Sequence, residues 1–219
     1  MAYEGSPRAQ KESPVRIGIF GGSFDPVHNG HLLAAECCRE QAGLDRVLFV
    51  PAAIGPHKQD RQLASGQHRM EMLALATGGN DAFAVSGDEL DRGGVSYTAD
   101  TLERLKALYP GDDLLLILGP DAFLGLPTWK EPRRIVELAG ILAVERESLD
   151  DLRSAAFHGP LEALLGRERL GRVIAERVRL PAIGIRASDL RGAVASGKSI
   201  RYRTPRAVEQ YITTHGLYR

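Results

Sequence analysis

Cysteine is scarce in this chain, and neither sign of charge is in excess. Only two of the 219 residues are cysteine. They are the adjacent Cys37 and Cys38, on a segment that reads as a helix, which excludes a disulfide framework and fits packing residues in a reducing cytosol. Lys plus Arg and Asp plus Glu stand at 28 each, so the global basic field that drives nucleic-acid binding is excluded. No run of about eighteen apolar residues is present to span a bilayer, and Met1 to Pro14 hold no apolar signal core. Residues 1–14 therefore read as a flexible tail ahead of one domain over 15–219, with no membrane partner and a cytoplasmic location. Internal repeats and low-complexity segments are absent, and the length suffices for one sizeable core.

What is present is an alternation of apolar, β-rich runs with helical patterns. Strands are expected near 15–20, 46–50, 82–85, 113–118, 141–145 and 177–183, with helices between them. Parallel strands need crossover connections, so this alternation predicts an α/β fold: a Rossmann-like, doubly wound parallel sheet with helices on both faces and a small C-terminal helical part. Ligands of such sheets bind beyond the carboxyl ends of the strands. The stretch from Ser148 to Ala175 reads as two helices near the surface with a solvated charged face, and His158 as a loop residue.

The most informative segment is Gly21-Gly22-Ser23-Phe24-Asp25-Pro26-Val27-His28-Asn29-Gly30-His31, between the first strand and a helical run from Leu32. Gly21 and Gly22 lack a Cβ, so the backbone is free to take positive φ and bring N–H groups to phosphate oxygens. Asp25-Pro26 favours a turn. Gly30-His31 opens a helix whose free N–H groups attract anions. His28 and His31, three apart, fall on one side of a first helical turn and can donate to phosphate. Taken separately, a His-x-x-His pair also suits a metal site or two surface histidines. The segment is no Walker A loop, since no Gly-Lys-Ser/Thr follows the glycines, and it lacks Gly-x-Gly-x-x-Gly.

A second anion-binding candidate is Ala187-Ser188-Asp189-Leu190-Arg191, where Ser188 is placed to cap a helix and Arg191, one turn later, to fork onto phosphate. Six Lys or Arg residues (Arg186, Arg191, Lys198, Arg201, Arg203, Arg206) face one acid, Asp189, between Arg186 and Arg206. Such a local excess suits a small anionic ligand. Lys58 follows Pro56-His57 in a Gly- and Pro-containing loop, Asp121 stands at a strand end where a helix cap is the plain reading, and Trp129, the single tryptophan, reads as partly buried core.

The eleven-residue segment resembles the signature of the nucleotidyltransferase superfamily with a His-x-Gly-His motif, and within it of the bacterial nicotinate-nucleotide adenylyltransferases. Pro51 to Lys58, Glu89 to Thr98, Leu118 to Asp121, Pro127 to Lys130, Ile185 to Arg191 and Ile200 to Tyr202 extend the resemblance over nearly the whole chain from Val15. The resemblance implies a nucleotidyltransferase domain that moves AMP from ATP onto nicotinate mononucleotide, giving deamido-NAD and pyrophosphate. It implies Mg²⁺ held mainly by ATP phosphates, with no metal ligands from the protein, and it leaves a homo-oligomer open. His28, His31 and Arg191 are the implied catalytic residues, and Gly21, Gly22, Ser23, Phe24, Gly30, Lys58, Gly119, Asp121 and Ser188 the implied ATP site. Ser96, Tyr97, Thr98, Trp129 and Lys130 are implied for the mononucleotide, with Trp129 stacked on the pyridine and backbone amides of both segments reading the carboxylate. One departure stands out: Arg186 and Ala187 occupy positions where the family motif usually carries small hydroxyl residues. Nicotinamide mononucleotide, phosphopantetheine, or a nucleotide sensor without catalysis are the competing readings.

Overall fold

The computed structural model describes residues 13–54, 63–146 and 159–219. Residues 1–12 of the expected 1–14 tail, Lys58 and His158 therefore lie outside the described residues. Six strands form one parallel sheet: β1 (Arg16–Gly22), β2 (Arg46–Pro51), β3 (Phe83–Val85), β4 (Asp113–Leu118), β5 (Gly140–Arg146) and β6 (Val178–Leu180). Their order is β3-β2-β1-β4-β5-β6, the doubly wound arrangement in which the chain reverses its direction of travel between β1 and β4. The crevice opened at that switch lies at the carboxyl ends of β1 and β4.

Although the strands read as continuous apolar runs, their side chains divide by alternation. Ile17, Ile19, Leu48, Val50, Leu114, Leu116, Leu118, Ile141 and Ala143 face one core. Val47, Phe49, Ile117, Leu142 and Val144 face the other. The first core is closed by α4 (Thr98–Leu108), α5 (Pro120–Gly125), α6 (Pro132–Leu138), α7 (Pro160–Leu165) and α8 (Arg167–Ala175). The second is closed by α1 (Asn29–Gln41), α2 (Gly66–Thr77), α9 (Ala187–Ala195) and α10 (Arg206–Thr214). A short α3 (Asp88–Arg92) links β3 to α4. Period-2 side-chain alternation is what allows one strand to serve two cores at once.

The predicted strands recur, and only two of their ends move by more than one residue. β6 stops at Leu180 instead of 183 because Pro181 has no N–H to donate to the ladder. β1 continues through Gly21 and Gly22, which pair with Val50 and Pro51. At Gly18 a Cβ would stand 2.7 Å from Leu44 Cδ1 and 3.0 Å from Ile117 Cδ1, so the missing side chain lets the second core close on β1. The helices after Gly159 carry exposed Arg167, Glu168 and Arg172 outward, as expected, and bury Leu161, Leu165, Leu170, Val173 and Ile174 inward. Cys38 is wholly buried, and burial pushes its thiol up to about 12.

Candidate active site

The site is built where β1 hands over to α1. Gly21 and Gly22 do not take positive φ, contrary to expectation, because they still belong to the strand. The left-handed conformation falls instead on Phe24, at φ 47°. A Cβ on Gly22 would meet the Phe24 ring at 3.0 to 3.3 Å, so Gly22 is small to let that ring fold back under the loop. Phe24 is 2% exposed and packs against Phe20, Phe49 and His31. Its side chain is core, and it offers a ligand only backbone. Nothing lies within 4 Å of a Cβ built on Gly21, which leaves the surface there open.

His28 is the N-cap of α1 and His31 its third residue, with the His28 N–H donating to His31 Nδ1 at 3.3 Å. The two rings stack at 3.6 Å between centroids and 18° between planes. Phe24 holds His31 from the side, edge-on at 5.1 Å. A Cβ at Gly30 would lie 3.1 Å from His28 Nδ1, so glycine there makes room for the His28 ring. The pair thus stands as one unit at the positive end of a helix.

Across from it lies the start of α9. Ile185 Cβ is 3.8 Å from the Gly30 position, which brings the two anion-binding candidates together. Ser188 does not cap α9: the N-cap is Arg186, which has no acceptor in its side chain, and Ser188 sits in the first turn, exposed, donating to Asp189 Oδ1 at 3.2 Å. Arg191 Nη1 donates to the Asp25 carbonyl at 2.7 Å and stands 3.7 Å from Asp25 Oδ2. Its side chain keeps 27% of its surface exposed.

Two residues at this joint carry more structure than their sequence context suggested. Asp25, read there only as a turn former, is 1% exposed, and its Oδ1 accepts from Tyr218 Oη at 2.6 Å and from the Ala64 N–H at 3.2 Å. Arg69 is 2% exposed and donates to the carbonyls of Ala64, Ser23, Ala52 and Ala53 at 2.7 to 3.4 Å. Burial lowers the affinity of its guanidinium for the proton, and Asp25 works the other way. One carboxylate and two guanidiniums therefore lie beneath the glycine loop, an imbalance that suits an anion above it. A signal for Arg69 existed: with Met72, Leu73 and Thr77 it forms the buried stripe of α2, where an arginine is out of place unless it is paired.

The other half of the site lies at the ends of β2 and β4. Gly119 caps α5 immediately after β4, and exposed Asp121 sits in the first turn with no side-chain capping bond. Ser96 is buried and ties down the chain after β2: its Oγ accepts from the Ala53 N–H at 3.0 Å, and its own N–H donates to the Ile54 carbonyl at 2.9 Å. The N–H of Trp129 is likewise engaged, by the Leu126 carbonyl at 3.1 Å. These two amides are therefore spent on the fold, and amides open to a carboxylate are those at the start of α4, which Tyr97 and Thr98 begin. The two segments expected to hold the mononucleotide do meet. Lys130 Nζ stands 4.5 Å over the Tyr97 ring and 3.3 Å from Asp100 Oδ1, and half-buried Trp129 packs on the first core. Among the described residues no three His, Cys, Asp or Glu side chains converge as metal ligands, and no helix is long and apolar enough to cross a membrane.

Comparison with known proteins agrees with this geometry. The sequence model of the cytidylyltransferase-like family matches residues 19–201. A relative from Thermomicrobium roseum, named "Probable nicotinate-nucleotide adenylyltransferase", is 43% identical over 93% of this chain and 92% of its own. One of the same name from Thermus thermophilus is 45% identical over 94% and 100%. In fold alone, the nicotinic acid mononucleotide adenylyltransferase of Plasmodium falciparum, solved with NaAD, superposes with a TM-score of 0.70 at 18% identity, over 93% of this chain and 97% of that one. A doubly wound sheet with paired histidines at its switch point, matched along nearly its whole length by such relatives, belongs to the cytidylyltransferase-like family, among its nicotinate-nucleotide adenylyltransferases.

Proposed function

We propose that this protein transfers the adenylyl group of ATP to nicotinate mononucleotide, forming deamido-NAD and pyrophosphate in NAD biosynthesis. The observation that carries the reading is the stacked His28–His31 pair at the N-terminus of α1, with Arg191 tied to Asp25 of the same loop. The mononucleotide phosphate is an anionic nucleophile at neutral pH, so attack on the α-phosphorus needs no general base and no covalent intermediate. The protein must hold the two phosphates in line and neutralise charge on the transferring group and the departing pyrophosphate.

In this reading His31 stabilises the transferring group, His28 orients the phosphates, and Arg191 with the first N–H groups of α9 receives the pyrophosphate. Gly21, Gly22, Ser23, Phe24 and Gly30 contribute backbone and clearance, and Gly119 and Asp121 lie toward the ribose. Lys58 adds a cation to the ATP phosphates, and exposed Ser188 a hydroxyl. Tyr97, Thr98, Trp129 and Lys130 form the mononucleotide side, with Ser96 holding the chain behind them. Mg²⁺ enters with ATP, on phosphate oxygens and water: imidazole, guanidinium and N–H groups suit phosphate, and Asp25, the loop's own carboxylate, is closed off by Tyr218 and Arg191. When bound, the cation neutralises phosphate charge.

The test is pyrophosphate release from ATP and Mg²⁺ with nicotinate mononucleotide, nicotinamide mononucleotide or phosphopantetheine at matched concentration. Preference for the nicotinate acceptor is expected, and His31→Ala should lower kcat far more than it raises KM. Preference for another acceptor would overturn the pocket assignment. ATP binding without turnover would leave a sensor, and an unchanged kcat in His31→Ala would remove that residue from the mechanism.

A further inference from the structure

Asp25 is buried and its two oxygens are treated unequally. Oδ1 takes both hydrogen bonds, from Tyr218 and from the Ala64 N–H, while buried Oδ2 has no hydrogen-bond donor among the described residues and faces Arg191 Nη1 at 3.7 Å. That separation is outside hydrogen-bond range. An arginine and a carboxylate at such close quarters normally close into a two-bond fork. Here Nη1 instead donates to the Asp25 backbone carbonyl, leaving the guanidinium partly exposed. Tyr218 reaches Asp25 from 193 residues away, in the turn that follows α10, with its own backbone in the left-handed region at φ 64°.

We propose that Tyr218 is a positioning residue of the phosphate site: by occupying Oδ1 it keeps the Asp25 carboxylate from rotating onto Arg191, and so leaves that guanidinium available to the leaving pyrophosphate. The inference rests on the adenylyl-transfer reading above. Burial, reinforced by the bond to Asp25, holds the Tyr218 phenol well above its usual titration range, so it remains a donor throughout the working range of pH. Arg69 supports the same arrangement from below, fixing the carbonyls of Ser23 and Ala64 on either side of Asp25 without contacting its carboxylate by any hydrogen bond among the described residues.

The experiment is a kinetic cycle of Tyr218→Phe, Arg191→Ala and the double variant, each checked by thermal unfolding. Tyr218→Phe keeps the ring and removes the donor. It should lower kcat about tenfold, with KM for both substrates within about twofold of the parent. In the Arg191→Ala background the same change should have no further effect, since the residue through which Tyr218 acts is gone. Losses that multiply, or an unchanged kcat in folded Tyr218→Phe, would overturn the proposal. Should Tyr218→Phe not fold, 4-aminophenylalanine at this position retains ring and a weaker donor. An intermediate loss of kcat that vanishes without Arg191 is then expected, and parental kcat overturns. If the parent protein itself fails to use nicotinate mononucleotide, the reading of function falls; if only the cycle fails, this inference alone does.

Discussion

Gly30 shows how much a single hydrogen atom in place of a methyl decides at this site. The His28 ring occupies the volume that a Cβ would claim, at 3.1 Å from Nδ1 and 3.2 Å from Cε1. Gly30→Ala must therefore move the ring or the loop that carries it, and a displacement of about 1 Å from a reacting geometry can cost about a hundredfold in rate. Alanine favours a helix over glycine, so the fold itself should not suffer. We expect kcat to fall by about tenfold or more with an unfolding temperature close to the parent's. Steady-state kinetics beside a thermal melt would check this, and a parental kcat would show that the position of His28 is not set by Gly30.

Among the elements, the turn over 199–205 is tied to the start of α1 and the loop before it by backbone and side-chain bonds. The Asn29 N–H donates to the Arg203 carbonyl at 3.0 Å, and Asn29 Nδ2 to the Tyr202 carbonyl at 2.7 Å, which fixes Tyr202 at φ 65° with the residue 86% exposed. Thr204 is 2% exposed and donates through Oγ1 to the Val27 carbonyl at 2.8 Å. This turn thus braces the loop that carries His28. Thr204→Val conserves shape and strands a buried carbonyl, which costs about 1–3 kcal/mol. Urea unfolding should show a lower midpoint at unchanged slope. No change would mean that the carbonyl finds another partner.

For the molecule as a whole, the C-terminal helix is the clasp that closes the second core, and its acid stability follows from one cluster. Tyr211 of α10 donates to Glu71 Oε2 of α2 at 2.6 Å, Gln67 donates to Oε1 at 3.0 Å, and His68 and His215 lie against the Tyr211 ring. The bond from Tyr211, then that from Gln67, hold the Glu71 carboxyl below its ordinary 4.5, while burial opposes them and His215 and His68 add to them. A depressed folded value means that the contribution is complete above the unfolded value and is lost as pH falls through the folded one. Urea midpoints followed downward from neutral pH should decline below about pH 4.5, and less steeply in Glu71→Gln. Parallel curves for the two proteins would sink the assignment.

Strand positions, the parallel sheet and the His28–His31 pair were all legible in the sequence, because each rests on local chemistry: apolar periodicity, the need for crossovers, and spacing along one helical turn. The amide of Ser96 was not legible as engaged for the complementary reason: whether an N–H is spent on the fold depends on which carbonyl it meets, and Ile54, which accepts from Ser96, is remote in sequence. The cap position expected of Ser188 falls to Arg186, and the Trp129 N–H closes a local turn onto Leu126. The positive φ expected of Gly21 and Gly22 is absent, because the ladder with Val50 and Pro51 keeps them extended. Local pattern thus determined what kind of protein this is and where the loop between β1 and the paired histidines lies. Only the tertiary structure decided that Asp25, Arg69, Arg191 and Tyr218 share one joint, since polar groups from four separate segments acquire partners only when folding brings them together and removes the water between them.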